Sequence, residues 1–203
     1  AEIGAEVSLF KGRLGLDVTG YSTSSKNQIL SLPTPASSGY GSQVINAGEI
    51  SNKGIEIQLN AVPIHFTNGF SWNMNINFAR NISKVVSLSP GVDRIVQLAP
   101  GEDASIQAVV GERMGALYGP GFVRVPDGPL KGMPIIGTNG RAQVTPTSIY
   151  LGNINPDWTA GITNRFSYKG IDREVLCDIK HGGVMVSRFI NKATGAGQLK
   201  ETE

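Results

Sequence analysis

The chain holds a single cysteine, Cys177, which rules out an internal disulfide. Its two histidines, His65 and His181, stand far apart and with one thiol give no metal-ligand spacing. Charge is scarce: Asp, Glu, Lys and Arg make up 17% of the residues, against roughly 25% in an average soluble protein. The net charge of +2 comes without a basic block, which argues against nucleic acid as a partner. No apolar run approaches the roughly 18 residues of a transmembrane helix, and no helix longer than a turn or two is expected. Nucleophile motifs are missing as well. No Ser sits in a Gly-x-Ser-x-Gly elbow, and no Gly-x-x-x-x-Gly-Lys loop occurs. Gly119-Pro120-Gly121 is favoured as a rigid loop over a phosphate loop, since its proline removes an N–H donor and no helix is expected after it.

What the chain does have is glycine (26), proline (11) and alternation. Phe70-Ser71-Trp72-Asn73-Met74-Asn75-Ile76-Asn77-Phe78 places a large apolar residue at every second position. A strand has period two, so the bulky groups share one face and Ser71 and the asparagines share the other. Lipid outside and water inside a membrane barrel require that division, and aromatics concentrate at its two interfaces. Trp72 and Phe78 lie roughly 20 Å apart along the strand at about 3.3 Å per residue. Alternation also marks Ile3, Ala5, Val7 and Leu9; Leu14, Leu16 and Val18; and Ile55, Ile57, Leu59 and Ala61. It recurs in residues 157–168, with Asn164 the exception on the apolar face, and in residues 171–180.

The connections between these six segments run short, long, short, long, short. Lys11-Gly12-Arg13, residues 62–69 and Lys169-Gly170 are the short ones; residues 22–52 and 80–156 are the long ones. Such an order suits an up-and-down barrel with brief periplasmic turns and large extracellular loops. The expected fold is therefore all-β: an antiparallel up-and-down transmembrane β-barrel segment, about six strands of a larger barrel, with long extracellular loops. Glu56, Gln58, Asn73, Asn75 and Asn77 are the candidate lumen-facing residues. Phe70, Trp72, Phe166 and Tyr168 would form the periplasmic aromatic belt, Phe78 and Trp158 the outer one. A soluble β-sandwich that binds ligands or adheres is the alternative, and it would turn the apolar stripes toward one another. A glycan-cleaving enzyme would need a carboxylate pair at about 5–9.5 Å, which the strands do not supply.

Several stretches taken in order carry a resemblance. They are Asn46-Ala47-Gly48-Glu49-Ile50-Ser51-Asn52-Lys53-Gly54-Ile55-Glu56, Phe70-Ser71-Trp72 with Asn75-Ile76-Asn77-Phe78-Ala79-Arg80-Asn81, and Val85-Val86-Ser87-Leu88. Gly111-Glu112-Arg113-Met114-Gly115-Ala116-Leu117-Tyr118-Gly119, Leu151-Gly152-Asn153-Ile154-Asn155-Pro156-Asp157-Trp158, Asn164-Arg165-Phe166-Ser167-Tyr168-Lys169-Gly170 and His181-Gly182-Gly183 follow. In this order they resemble the later part of the barrel of SusC/RagA-like TonB-dependent outer-membrane receptors. The resemblance implies a place in the bacterial outer membrane and energised uptake of an oligosaccharide or a peptide. It also implies a SusD-like surface lipoprotein over the barrel mouth and contact with TonB through parts of the protein outside this chain. Residues 1–203 would then be a partial barrel domain, without the plug domain and the final strands. The first residues, Ala1-Glu2-Ile3-Gly4, open in mid-pattern and the last stretch is polar, so both ends are expected to be cuts through a longer protein. Arg173, near a short turn, is placed to snorkel to the interface.

No catalytic role, cofactor or metal is expected. Tyr40, Tyr118, Phe122 and Tyr150 in the loops are candidate substrate-contacting aromatics; stacking on sugar rings and packing the loops together remain alternatives. The loop acids Asp93, Glu102, Asp103, Glu112 and Asp127 lack the spacing of an EF-hand, so solvated carboxylates are favoured over a calcium site. Cys177 lacks a positioned base and is expected to be a packed or lipid-facing thiol. The lumen asparagines would bond to a plug domain or ordered water first and to passing substrate second.

Overall fold

The computed structural model describes residues 1–27, 29–33, 42–46, 48–101, 104–198 and 200. The chain opens with β1 (Glu2–Leu9) and β2 (Leu14–Lys26), followed by a hairpin of β3 (Ile29–Pro33) and β4 (Ser42–Asn46). Two long strands come next, β5 (Glu49–His65) and β6 (Phe70–Ser87). Four short ones follow: β7 (Arg94–Gly101), β8 (Ala104–Val109), β9 (Ala116–Gly119) and β10 (Ile149–Asn153). The last strands are β11 (Trp158–Tyr168) and β12 (Ile171–His181), before a two-turn helix α1 (Arg188–Gly195).

β1, β2, β5, β6, β11 and β12 lie side by side in that order in one antiparallel sheet. These are the six segments that alternation marks, paired as a meander. Turn chemistry fixes the hairpins. Lys169 and Gly170 both take positive φ (48° and 86°), the two-residue geometry whose twist matches its strands. At the first turn Phe10, Lys11 and Gly12 all have positive φ, and the Gly12 amide donates to the Leu9 carbonyl. Arg13 then clamps the neighbouring hairpin, donating to the carbonyls of Val62 and Pro63 at the register shift of β5.

The strands run further than alternation suggests. β2 continues to Lys26, β5 starts at Glu49 and ends at His65, and β6 reaches Ser87. Connection 22–52 therefore includes the ends of two wall strands and a hairpin. Connection 80–156 begins as strand and holds a second sheet, ordered β10-β9-β8-β7. The physical reason is that Ser22, Ser24, Ser51 and Lys53 are polar on the face that is apolar lower down, so period two disappears while strand pairing persists.

Packing separates the two sheets. Buried apolar residues gather at the top: Val85, Ile95, Ala108, Ala116, Leu117 and Tyr118. The large sheet instead leaves its apolar face open, with Ile3 80% and Ile171 65% exposed. Among the described residues no second sheet covers that face, so the stripes do not face one another as a sandwich requires.

Candidate functional site

Register assigns each side chain of the large sheet to a face, because directly opposed residues project together. One row reads Val7, Leu16, Leu59, Ile76, Ile162 and Cys177 across the six strands, all on one side. The adjacent row reads Glu6, Asp17, Gln58, Asn77, Gly161 and Asp178, all on the other. The same parity puts Ile55, Ile57, Trp72, Met74 and Ala160 with the apolar row. Glu56, Asn60, Asn73 and Asn75 fall with the polar one.

The aromatic groups pair across β6 and β11 on the apolar side. Trp72 stacks on Phe166 and Phe78 packs on Trp158, each with ring centroids 5.8 Å apart. Phe70 opposes Tyr168 beside the short turns, and Trp158 stacks on His181 at the far end. Asn164, the one polar residue in this stripe, accepts a hydrogen bond from the Trp72 indole N–H at 3.1 Å. Its presence is thereby explained: the indole needs an acceptor, and the strand opposite supplies one. Arg173 lies opposite Phe166 on this face, close to the Lys169-Gly170 turn.

On the polar side a shallow groove of about 480 Å³ is lined by Asp17, Thr19, Glu56, Gln58, Asn77 and Asp178. Three of the expected lumen residues, Glu56, Gln58 and Asn77, therefore share one depression. Asn73 and Asn75 line an adjoining one with Asn60, Arg165 and Glu174. Asn75 donates to Asn60 across the β5–β6 pair. Arg165 donates to Asp172 at 3.1 Å, and Ser167 bonds the same carboxylate. Sequence reasoning did not name Asp17, Arg165 and Asp178 among the site candidates, although each alternates with the outward-facing residues of its own strand: Leu16 and Val18, Asn164 and Phe166, Cys177 and Ile179. It also missed Tyr21, whose ring lies over Gly54 so closely that any Cβ there would overlap it. The Tyr21 hydroxyl reaches Asn81 Oδ1 at 3.3 Å.

Above the sheet, three stretches of the sequence meet in one knot at the ends of β6, β11 and β12. Arg113 donates to the Asp157 carboxylate at 2.5 Å and to the Pro156 carbonyl at 3.2 Å. Asn153 and Asn155 both donate to the Met114 carbonyl, and the Asp157 amide donates to His181. Gly115 is needed because a Cβ would lie 2.8 Å from Asn155 Nδ2 at a positive φ. Residues 111–114 also run beside β6, with Gly111 donating to Val85 and Met114 to Ser83.

Of the loop aromatics, Tyr118 is 9% exposed, edge-on to Tyr150 and under the Arg94 guanidinium. Tyr150 and Phe122 are exposed, Phe122 beside an apolar hollow with Val144 and Leu151. Tyr40, Glu102 and Asp103 lie outside the described residues. Among the described residues no three His, Cys, Asp or Glu side chains converge on a metal position. Cys177 is exposed on the apolar face, opposite Ile162.

The family model described as TonB dependent receptor-like, β-barrel, matches residues 1–173. The chain belongs to this family. Among curated relatives, TonB-dependent receptor P3 of Formosa agariphila is 30% identical over 99% of the chain and 22% of its own length. TonB-dependent receptor SusC of Bacteroides thetaiotaomicron is 27% identical over 43% of the chain and 9% of its own length. In fold the chain is similar to the RagAB peptide importer in its closed-closed state, at a TM-score of 0.67 and 18% identity. That likeness covers 88% of the chain and 20% of its counterpart. The chain thus spans about one-fifth of the length of TonB-dependent receptor P3 and of the matched RagAB chain.

Proposed function

We propose that the chain is part of an outer-membrane, TonB-dependent importer of oligosaccharides or peptides, supplying barrel wall, lumen surface and outer loops. On this reading residues 1–203 are a partial barrel domain, and the plug domain and final strands lie outside the chain. The observation that carries it is the meander of six strands with one open apolar face and one polar face. The polar face, with Glu56, Gln58, Asn73, Asn75 and Asn77, looks into the lumen and bonds first to a plug domain or to ordered water. The apolar face contacts outer-membrane lipid, with the Trp72–Phe166 belt periplasmic and the Phe78–Trp158 belt outermost. The β7–β10 sheet and its loops then stand outside the cell, where a SusD-like surface lipoprotein closes over them and Tyr150 and Phe122 meet substrate. TonB acts through parts beyond this chain. No catalytic role is proposed for any residue here.

Uptake by cells carrying the intact receptor tests this. Labelled peptide and labelled oligosaccharide are offered with and without TonB. TonB-dependent accumulation of one of them is expected; RagAB is a peptide importer, which favours the peptide arm. Accumulation of neither, or uptake unchanged without TonB, would overturn the proposal.

A further inference from the structure

The outward face changes chemistry above the apolar band. On β6 the residues that follow Phe78 on that face are Arg80, Ile82 and Lys84, and on β5 the residue beyond Ile55 is Lys53. Lys53 lies directly opposite Ile82, so Arg80 and Lys84 flank it on the two diagonals, roughly 7–8 Å away each. All three are exposed. Among the described residues none of them is in an ion pair. The outward carboxylate at this end, Glu49, is already held by Lys26 at 3.9 Å and by the Ser24 hydroxyl at 2.5 Å. Arg113 is likewise committed, to Asp157. Three exposed cations this close, none of them in an ion pair, offer one anion several charge-assisted hydrogen bonds at once.

Depth says which anion. Ala79 pairs with Thr159, so Arg80 is level with Trp158 in the aromatic band on the long-loop side. The cations are also continuous, on the same face, with the apolar positions Ile55, Ile57 and Phe78. An anion that suits both features carries phosphate above and acyl chains below. Resting on the barrel reading above, we propose that Lys53, Arg80 and Lys84 bind the headgroup phosphate of an anionic lipid in the leaflet on the long-loop side. The acyl chains lie along the Ile57–Phe78 stripe, and the phosphate bridges the three cations.

The test uses the intact receptor in detergent, titrated with diphosphoryl lipid A, its dephosphorylated form and inorganic phosphate, with binding read by native mass spectrometry. Wild type should prefer the phosphorylated lipid. Lys53→Gln, Arg80→Gln and Lys84→Gln together should weaken it roughly 100-fold, about fivefold per cation. Charge-conserving Lys53→Arg with Arg80→Lys should retain it. If the triple variant misfolds, the single Arg80→Gln and Lys84→Gln variants carry the same comparison at about fivefold each. Equal binding by wild type and variants, or no preference for the phosphorylated lipid, overturns the lipid site. Inorganic phosphate bound as tightly at these residues also overturns it, in favour of a soluble-anion site. The barrel reading fails separately, if the receptor stays folded and monomeric without detergent.

Discussion

Trp72 and Asn164 show what a single residue does in this wall. Asn164 breaks the apolar alternation, and from sequence it is an exception without a cause. The cause lies in a register that only pairing reveals: its partner across the strands is Met74, and Trp72 reaches back to it. In a bilayer such hydrogen bonds couple by about 0.6 kcal/mol, at most ~1.7, because the competing states also find partners. A double-mutant cycle of Trp72→Phe and Asn164→Leu, followed by urea unfolding in lipid vesicles, should return a coupling of that size. Additive losses would mean that the indole finds another acceptor. A second comparison separates the two faces. Ile76, between the aromatic belts, should cost about 2–4 kcal/mol as Ile76→Arg in a bilayer. Asn77→Arg, among Asp17, Glu56 and Asp178, should cost much less, since water and carboxylates surround it. Equal losses in the same unfolding measurement would contradict the assignment of faces.

At the scale of elements, legibility followed chemistry. The six wall strands were readable because one face is apolar where the other is polar, and a one-residue slip would invert every side chain. The upper ends of β2, β5 and β6 were not, since Ser, Asn and Lys occupy both faces there and backbone pairing leaves no composition signal. The β7–β10 sheet was hidden for a different reason: its strands are 4–8 residues long, and β9 is buried on both sides while β8 has no exposed face, so neither alternates. Of the site, the asparagine row was legible and its acidic neighbours Asp17 and Asp178 were overlooked, because they lie on strands chosen for their apolar face. The knot of Arg113, Asn153, Asn155 and Asp157 joins positions some 40 residues apart, which spacing alone does not connect. Arg113→Met should remove its two bonds and cost about 1 kcal/mol, a modest figure because Asp157 is half exposed and water screens the pair. Loosening should show as faster cleavage of residues 111–157 by protease added to intact cells. Unchanged cleavage would mean that the asparagine bonds to Met114 suffice.

As a whole molecule the sheet has two edges, β1 and β12, with one side of each unpaired. Unpaired N–H and C=O groups cost several kcal/mol each in hydrocarbon, and in water the apolar face stays exposed. Expressed as these 203 residues, the chain should therefore aggregate or persist only in detergent, as size-exclusion chromatography with and without detergent would reveal. A monomer in plain buffer with one cooperative unfolding transition would favour a soluble domain. The strands also differ in height. β6 has 18 residues and β11 has 11, and since the first residue of β6 is level with the last of β11 at the short-turn end, β6 rises about 20 Å higher. The wall consequently changes its material along the rim: paired strand along β5 and β6, and above β11 and β12 the hydrogen-bonded knot of residues 111–114 and 153–157. On the barrel reading proposed above, whatever descends meets backbone ladder on one side and loop held by side chains on the other, so the mouth is uneven before any loop moves.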